Sequence, residues 1–384
     1  MMFMKFLLAP DSFKESMTAK KAAYAMENGI KRSFPDAECI VTPLADGGEG
    51  TVEALMNMLD GKLVQVEVAG PLGNKVMAEF GIIDNGELAV IEMASASGLA
   101  LIAPEDRNPL ITTTFGTGQL IKQALDLGVK RIIIGIGGSA TNDGGVGMLQ
   151  ALGVRFIDQE GEELPYGGGS LDRLYKIDRS GMDPRVEQVQ FDIACDVTNP
   201  LIGDTGASVI FGPQKGATPV MVELLDRNLA HLAQLIKLEL KTDIAYMPGA
   251  GAAGGLGGAL HAFLNGRLKK GIELILESNG IEEKIKQVDF VFTGEGSIDR
   301  QTMFGKTPYG VASIAHKYNV PVIAFAGKVG DDIEPLYEKG FTAIFGIVQE
   351  ATSLEEALKN GEENLTKTVE SVCRLMKGVS PALL

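Results

Sequence analysis

Arg131-Ile132-Ile133-Ile134-Gly135-Ile136-Gly137-Gly138-Ser139-Ala140-Thr141-Asn142-Asp143-Gly144-Gly145 is the stretch that decides the class of fold. Three consecutive β-branched isoleucines predict a strand buried on both faces, as in a parallel sheet covered by helices. The strand then gives way to glycines and short polar residues, followed by the mainly apolar run 146–152. Such a break exposes a row of backbone N–H groups. It directs them to the start of the next helix, where the dipole also favours an anion. The stretch predicts a cradle for phosphate, with the Asp143 carboxylate at hand for a metal or a hydroxyl.

Outward from this stretch, both ends of the chain alternate strand and helix. Residues 5–10 read as a strand, and Thr18 caps a helix running to residue 34 with Ala22, Met26 and Ile30 on one face. A strand over 38–43 follows, and Asp46-Gly47-Gly48-Glu49-Gly50 leads into a helix over 51–59. Later, a strand over 288–293 ends in Gly294-Glu295-Gly296, and a helix begins near Thr307 with Pro308 in its first turn. Strands over 320–326 and 342–348 come next, and Ser353 with Glu356 forms a capping box for the C-terminal helix.

The middle differs. Residues 63–68, 76–83 and 88–93 read as successive strands, and Asn85-Gly86 signals a hairpin. A strand over 189–195 follows, and Thr218-Pro219 opens a helix to Leu240 with Val222, Leu225, Leu229, Leu232 and Ile236 along its core face. The expected fold is α/β: a parallel domain over 1–65 and 288–384, with a second, mixed α/β domain over 66–287 inserted in it.

Composition narrows the function. The 384 residues carry a formal charge of −15 with no long basic run, which argues against nucleic acid or an anionic membrane as partner. Cys39, Cys195 and Cys373 are far apart and odd in number, which predicts a reducing compartment. The N-terminal Phe6-Leu7-Leu8-Ala9 is too short for a signal segment, and no apolar run approaches the roughly 20 residues a membrane span needs. A cytoplasmic protein is expected.

Several motifs compete for the chemistry. Gly135, Gly137 and Ala140 match G-x-G-x-x-A, and Asp158 stands where a ribose-binding acid would, so an NAD(P)-dependent reductase of a small hydroxy acid is the alternative reading. Against it, Thr141-Asn142-Asp143-Gly144-Gly145 delays the helix and puts an acid where pyrophosphate would lie. Gly305-Lys306-Thr307 resembles the tail of a phosphate-binding P-loop, but Arg300 occupies the position of its first glycine. Asp11, Asp46, Asp143, Asp196 and Glu295 all fall at or just beyond strand ends, where open parallel sheets bind ligands. Lys14, Arg107, Lys215 and Lys328 fall in turns and suit a small carboxylate or a phosphate.

These residues have a family likeness. The segments Ala9-Pro10-Asp11-Ser12-Phe13-Lys14-Glu15-Ser16, Ala45-Asp46-Gly47-Gly48-Glu49-Gly50-Thr51, Gly137 to Gly145, Cys195-Asp196-Val197-Thr198-Asn199-Pro200, Phe211-Gly212-Pro213-Gln214-Lys215-Gly216 and Thr293-Gly294-Glu295-Gly296 with Asp299-Arg300-Gln301-Thr302 closely resemble the bacterial type-1 glycerate kinase family. The likeness covers essentially the whole chain in order. It implies ATP-dependent phosphorylation of D-glycerate to 2-phosphoglycerate or 3-phosphoglycerate, and a flavodoxin-like α/β domain with a second α/β domain inserted in it.

Loop chemistry then suggests roles. Gly137, Gly138 and Ser139 are expected on the phosphates of ATP, with Glu295 and Asp299 also on the nucleotide side. Asp143 and Asp196 are candidates for base or Mg2+ ligand, and Lys306 for charge compensation. Ser12, Lys14, Asp46 and Arg107 are expected on D-glycerate. The natural place for such transfer is a cleft between two domains that closes and expels water. A homodimer is compatible with this reading.

Overall fold

The computed structural model describes residues 4–44, 55 and 61–379. The chain divides into two compact units, Met1–Ala54 with Ile272–Leu384, and Leu55–Gly271.

The first unit holds an all-parallel sheet of Lys5–Leu8, Glu38–Val41, Phe290–Ile298, Val322–Val329 and Phe341–Gly346. Lys5–Leu8 lies between Glu38–Val41 and Phe290–Ile298, so the order, numbered along this unit, is 2-1-3-4-5. That is the flavodoxin order, with its switch point between the first and third strands. Helix Ala19–Ser33 begins where Thr18 Oγ1 accepts the Lys21 N–H. Its Ala22, Met26 and Ile30 share a core with Phe6, Phe292 and Phe325 of the sheet and with Leu365 and Val369 of helix Gly361–Val379.

Two expectations change here. The strand expected to stop at residue 293 continues to Ile298, and its neighbour to Val329. The glycines that read as a loop are strand residues, because a Cβ on Gly294 would lie 2.3 Å from the Phe325 carbonyl oxygen and one on Gly327 2.7 Å from that of Gly296. The C-terminal helix is also two helices. Ser353 caps only Leu354–Lys359, and Gly361–Val379 starts anew after Asn360. A Cβ at Gly361 would meet Ser16 Oγ at 2.2 Å, and Ser16 donates to the Leu358 carbonyl at 2.6 Å. Asp46 and nearly all of the helix expected over 51–59 lie outside the described residues.

The second unit holds a six-stranded mixed sheet ordered Arg267–Lys269, Gln190–Ala194, Arg131–Gly135, Leu88–Glu92, Lys75–Ile83 and Lys62–Ala69. The first four strands run parallel; the last three form an antiparallel meander. Ile132, Ile133 and Ile134 are all fully buried, as a central parallel strand requires. The hairpin turn is longer than a two-residue one, since Asp84, Asn85 and Gly86 are all left-handed (φ 54°, 53° and 96°). Asp192 is fully buried and accepts from Gln190 Nε2 (2.7 Å), Arg131 Nε (2.7 Å) and Arg267 Nε (2.9 Å), which ties three adjacent strands together. Helix Pro219–Leu240, capped by Thr218, buries Leu225, Leu229, Leu232 and Ile236, with Val222 half-buried. No helix among the described residues is long and apolar enough to cross a membrane.

Candidate active site

In the first unit the switch point brings Asp11, just beyond strand Lys5–Leu8, near Glu295 of strand Phe290–Ile298. Both carboxylates are buried. Asp11 Oδ2 accepts from Thr307 Oγ1 at 2.9 Å. Glu295 Oε2 accepts from Lys306 Nζ at 3.2 Å and Oε1 from Thr302 Oγ1 at 3.3 Å, while Lys306 also donates to the Ser297 carbonyl at 3.2 Å. Burial pushes the Glu295 carboxyl up to about 7; Lys306 pulls against that shift, and the Asp11 charge adds to it. A carboxyl poised near neutrality beside an ammonium suits proton transfer.

Asp299 does not join this pair directly. Its Oδ1 accepts from the Gln301 N–H at 2.8 Å, and its own N–H donates to Thr302 Oγ1 at 3.2 Å, so it shapes the turn that holds Thr302 against Glu295. Ser12 and the exposed Lys14 line a pocket of ≈ 390 Å³ with Ser16, Thr18 and Lys21.

In the second unit the turn after strand Arg131–Gly135 is built around Asp143. That carboxylate is fully buried and accepts four hydrogen bonds. Oδ2 takes the Thr114 N–H (2.8 Å), Thr114 Oγ1 (2.8 Å) and the Gly147 N–H (3.2 Å), and Oδ1 takes the Gly145 N–H (3.1 Å). Three donors thus converge on Oδ2 and one reaches Oδ1, so both oxygens of the carboxylate are engaged. Burial raises the Asp143 carboxyl above its ordinary value, and the Thr114, Gly145 and Gly147 hydrogen bonds oppose the rise. To bind a metal or take a proton from a substrate, Asp143 would have to give up bonds that hold its own loop.

Gly137 and Gly138, by contrast, are exposed, and nothing lies within 4 Å of a Cβ placed on Gly137. Among the described residues, the N–H groups of Gly137, Gly138 and Ser139 meet no protein acceptor. Ser139 is buried, and its Oγ accepts from Lys215 Nζ at 2.8 Å. Arg107 is half-buried beside the same lysine turn, its Nη1 donating to the Gln214 carbonyl at 3.4 Å and its Nε without a hydrogen-bond partner. Asp196 is exposed just beyond strand Gln190–Ala194, and its Oδ1 accepts the Gly271 N–H at 3.1 Å.

The expected residues therefore fall into two clusters. Glu295 and Lys306 meet, with Ser12 and Lys14 on a loop of the same unit; Gly137, Gly138, Ser139 and Arg107 gather around the 139–143 turn. Sequence reasoning noted Asp11 and Lys215 but assigned no role to them, nor to Thr302 or Thr307. Asp11 carried a signal as a strand-end acid next to Ser12, and Lys215 as a basic residue in a glycine-flanked turn. Thr307 carried one only as the end of the P-loop-like Gly305-Lys306-Thr307, and Thr302 only as part of the family motif.

Carboxylates, an ammonium and open backbone N–H groups at the carboxyl ends of parallel strands suit the transfer of a phosphoryl group. Such transfer asks for positioning and charge compensation more than for covalent chemistry. The chain is an α/β kinase. The model of the glycerate kinase family matches residues 6–377, and the chain belongs to that family. It is 52% identical over 373 residues to the glycerate kinase of Haemophilus influenzae, a match covering 97% of this chain and 99% of that protein. It is 50% identical over 380 residues to the glycerate 2-kinase of Escherichia coli strain K12, covering 99% and 98%. A crystal structure described as glycerate kinase 2 from Salmonella typhimurium LT2 superposes with a TM-score of 0.83 at 49% identity, covering 98% of this chain and 99% of that one.

Proposed function

We propose that this chain transfers the γ-phosphoryl group of ATP to D-glycerate, with 2-phosphoglycerate as the product. The observation that carries the reading is the Glu295–Lys306 pair beside Asp11 at the switch point, on a chain half identical throughout to a protein named glycerate 2-kinase. The open N–H groups of Gly137, Gly138 and Ser139 fit the phosphate oxygens of ATP. Of the two aspartates considered for Mg2+, Asp196 fits, because it is exposed and, among the described residues, only its Oδ1 is engaged; Asp143 is buried, with both oxygens engaged by Thr114, Gly145 and Gly147. Magnesium would offset the charge of the phosphates.

In this reading Ser12 and Lys14 hold the glycerate carboxylate, Glu295 receives the hydroxyl proton at its carboxylate oxygen, and Lys306 favours the ionised form of Glu295 until it does. Asp299 contributes by fixing Thr302. The reductase alternative is weakened because Asp158 Oδ1 accepts the N–H groups of Glu160 and Glu162 in its own turn.

The test is incubation of the purified protein with MgATP and D-glycerate, followed by proton-coupled phosphorus NMR. A phosphate on the secondary hydroxyl couples to one vicinal proton and gives a doublet; on the primary hydroxyl it couples to two and gives a triplet. A doublet with stoichiometric ADP is expected. A triplet overturns the position of transfer, and no phosphorylated product overturns the function.

A further inference from the structure

Lys215 is 1% exposed, and its Nζ donates to Ser139 Oγ at 2.8 Å and to the Thr141 carbonyl at 2.7 Å. Burying an ammonium against a hydroxyl and a carbonyl is costly, because neither replaces its hydration. Burial pushes Lys215 down to about 7, and Asp143 pulls it back up. The charged groups around it are Asp143, held by four donors from Thr114, Gly145 and Gly147, and Arg107, whose carbonyl packs on Gly216.

The bond to Ser139 has a direction. An ammonium only donates, so Ser139 Oγ accepts from it and must send its own proton elsewhere. Among the described residues no protein acceptor receives that proton. Among the described residues, three N–H groups and one O–H of residues 137–139 thus find no protein partner.

We propose that Lys215 is a positioning residue for a phosphoryl group: by occupying Ser139 Oγ as donor, it reserves the Ser139 O–H for an oxygen of a phosphate bound at the 137–139 turn. This deepens the phosphate role proposed for that turn and rests on it. The lysine acts through Ser139, and the unmasked charge behind the hydroxyl strengthens its donation to an anion.

The experiment is calorimetric titration of inorganic tripolyphosphate, a phosphate chain without a nucleoside, and of MgATP, into the whole protein and its Lys215→Met, Lys215→Gln, Ser139→Ala and Lys215→Met/Ser139→Ala variants. D-glycerate phosphorylation by the unaltered protein is measured alongside. Lys215→Met and Ser139→Ala should each weaken tripolyphosphate binding about tenfold, the loss of one charge-assisted hydrogen bond, and the double variant should lose little more. Lys215→Gln keeps a donor to Ser139 and should recover part of the affinity. Between about pH 6 and about pH 8.5 the unaltered protein should lose affinity as Lys215 gives up its proton, and Ser139→Ala, which lacks the hydroxyl through which the lysine acts, should lose that pH step.

Additive losses in the double variant, or a pH step that persists in Ser139→Ala, overturn the proposal while leaving the kinase reading intact if D-glycerate is phosphorylated. Absence of any tripolyphosphate or MgATP binding by the unaltered protein overturns the phosphate role of the turn and the proposal with it.

Discussion

Asp143→Asn separates a carboxylate that builds its loop from one that acts on substrates. The carboxylate receives Thr114 N–H and Oγ1 at 2.8 Å each and Gly147 N–H at 3.2 Å on one oxygen, and Gly145 N–H at 3.1 Å on the other. Asparagine offers one oxygen and a donor amide. With its oxygen in the threefold position, the amide faces the Gly145 N–H; reversed, it faces three donors. The better orientation leaves at least one buried donor unsatisfied, at about 1–3 kcal/mol, and removes charge assistance from the other three bonds. It also removes the negative charge that favours the ammonium form of the buried Lys215, although the two groups make no direct ion pair. These effects overlap, and relief of the carboxylate's own burial offsets part of them, so a loss of about 3 kcal/mol is expected. Since the chain has two units and a single unfolding free energy is ill defined for it, the assay is hydrogen exchange at the amides of residues 114, 145 and 147. A loss of that size speeds exchange by roughly a hundredfold. Unchanged protection with turnover down by about a hundredfold or more would refute the reasoning and return Asp143 to the role of base or metal ligand.

Other perturbations follow from the same geometry. If Glu295 receives the substrate proton, kcat/KM should fall with unit slope as pH drops below about 7, with Lys306→Met moving the inflection up and Asp11→Asn moving it down; a pH–rate profile lacking these shifts contradicts the pairing. Because the fold raises this carboxyl, the stability it contributes is full below its ordinary value and is lost as pH rises through about 7, so Glu295→Gln should flatten the decline in melting temperature over that window. Gly147→Ala would place a Cβ 2.1 Å from Thr113 Oγ1 and 3.0 Å from Asp143 Oδ2, and should destabilise the second unit by about 1–3 kcal/mol or more in urea unfolding. Asp192→Asn strips the buried charge that binds Arg131 and Arg267 on neighbouring strands, and should cost about 3–5 kcal/mol by the same measurement; a change within experimental noise would mean the cluster is not holding the sheet.

What could be read from the sequence depended on how far each signal reaches along the chain. The isoleucine strand and the Thr218-Pro219 helix are local: burial on both faces is written into Ile132–Ile134, and the cap and core face of the helix into adjacent residues. Gly294-Glu295-Gly296 misled because a glycine required by close approach of a neighbouring strand looks the same as one required by a turn. The site shows the same limit more sharply. A carboxylate in a glycine-rich turn gives the place of chemistry but not the task of the residue, since the donors that occupy Asp143 include Thr114, 29 positions away. Glu295 takes its poised state from burial, from Lys306 and from Asp11 at the far end of the chain. Lys215 reads as a turn lysine suited to contact an anion directly, until Ser139, 76 residues earlier, is found to accept from it. Residues whose chemistry is set by distant partners are therefore the ones whose task a linear reading misses, and here they are an acid engaged by its own fold and a lysine buried behind a hydroxyl.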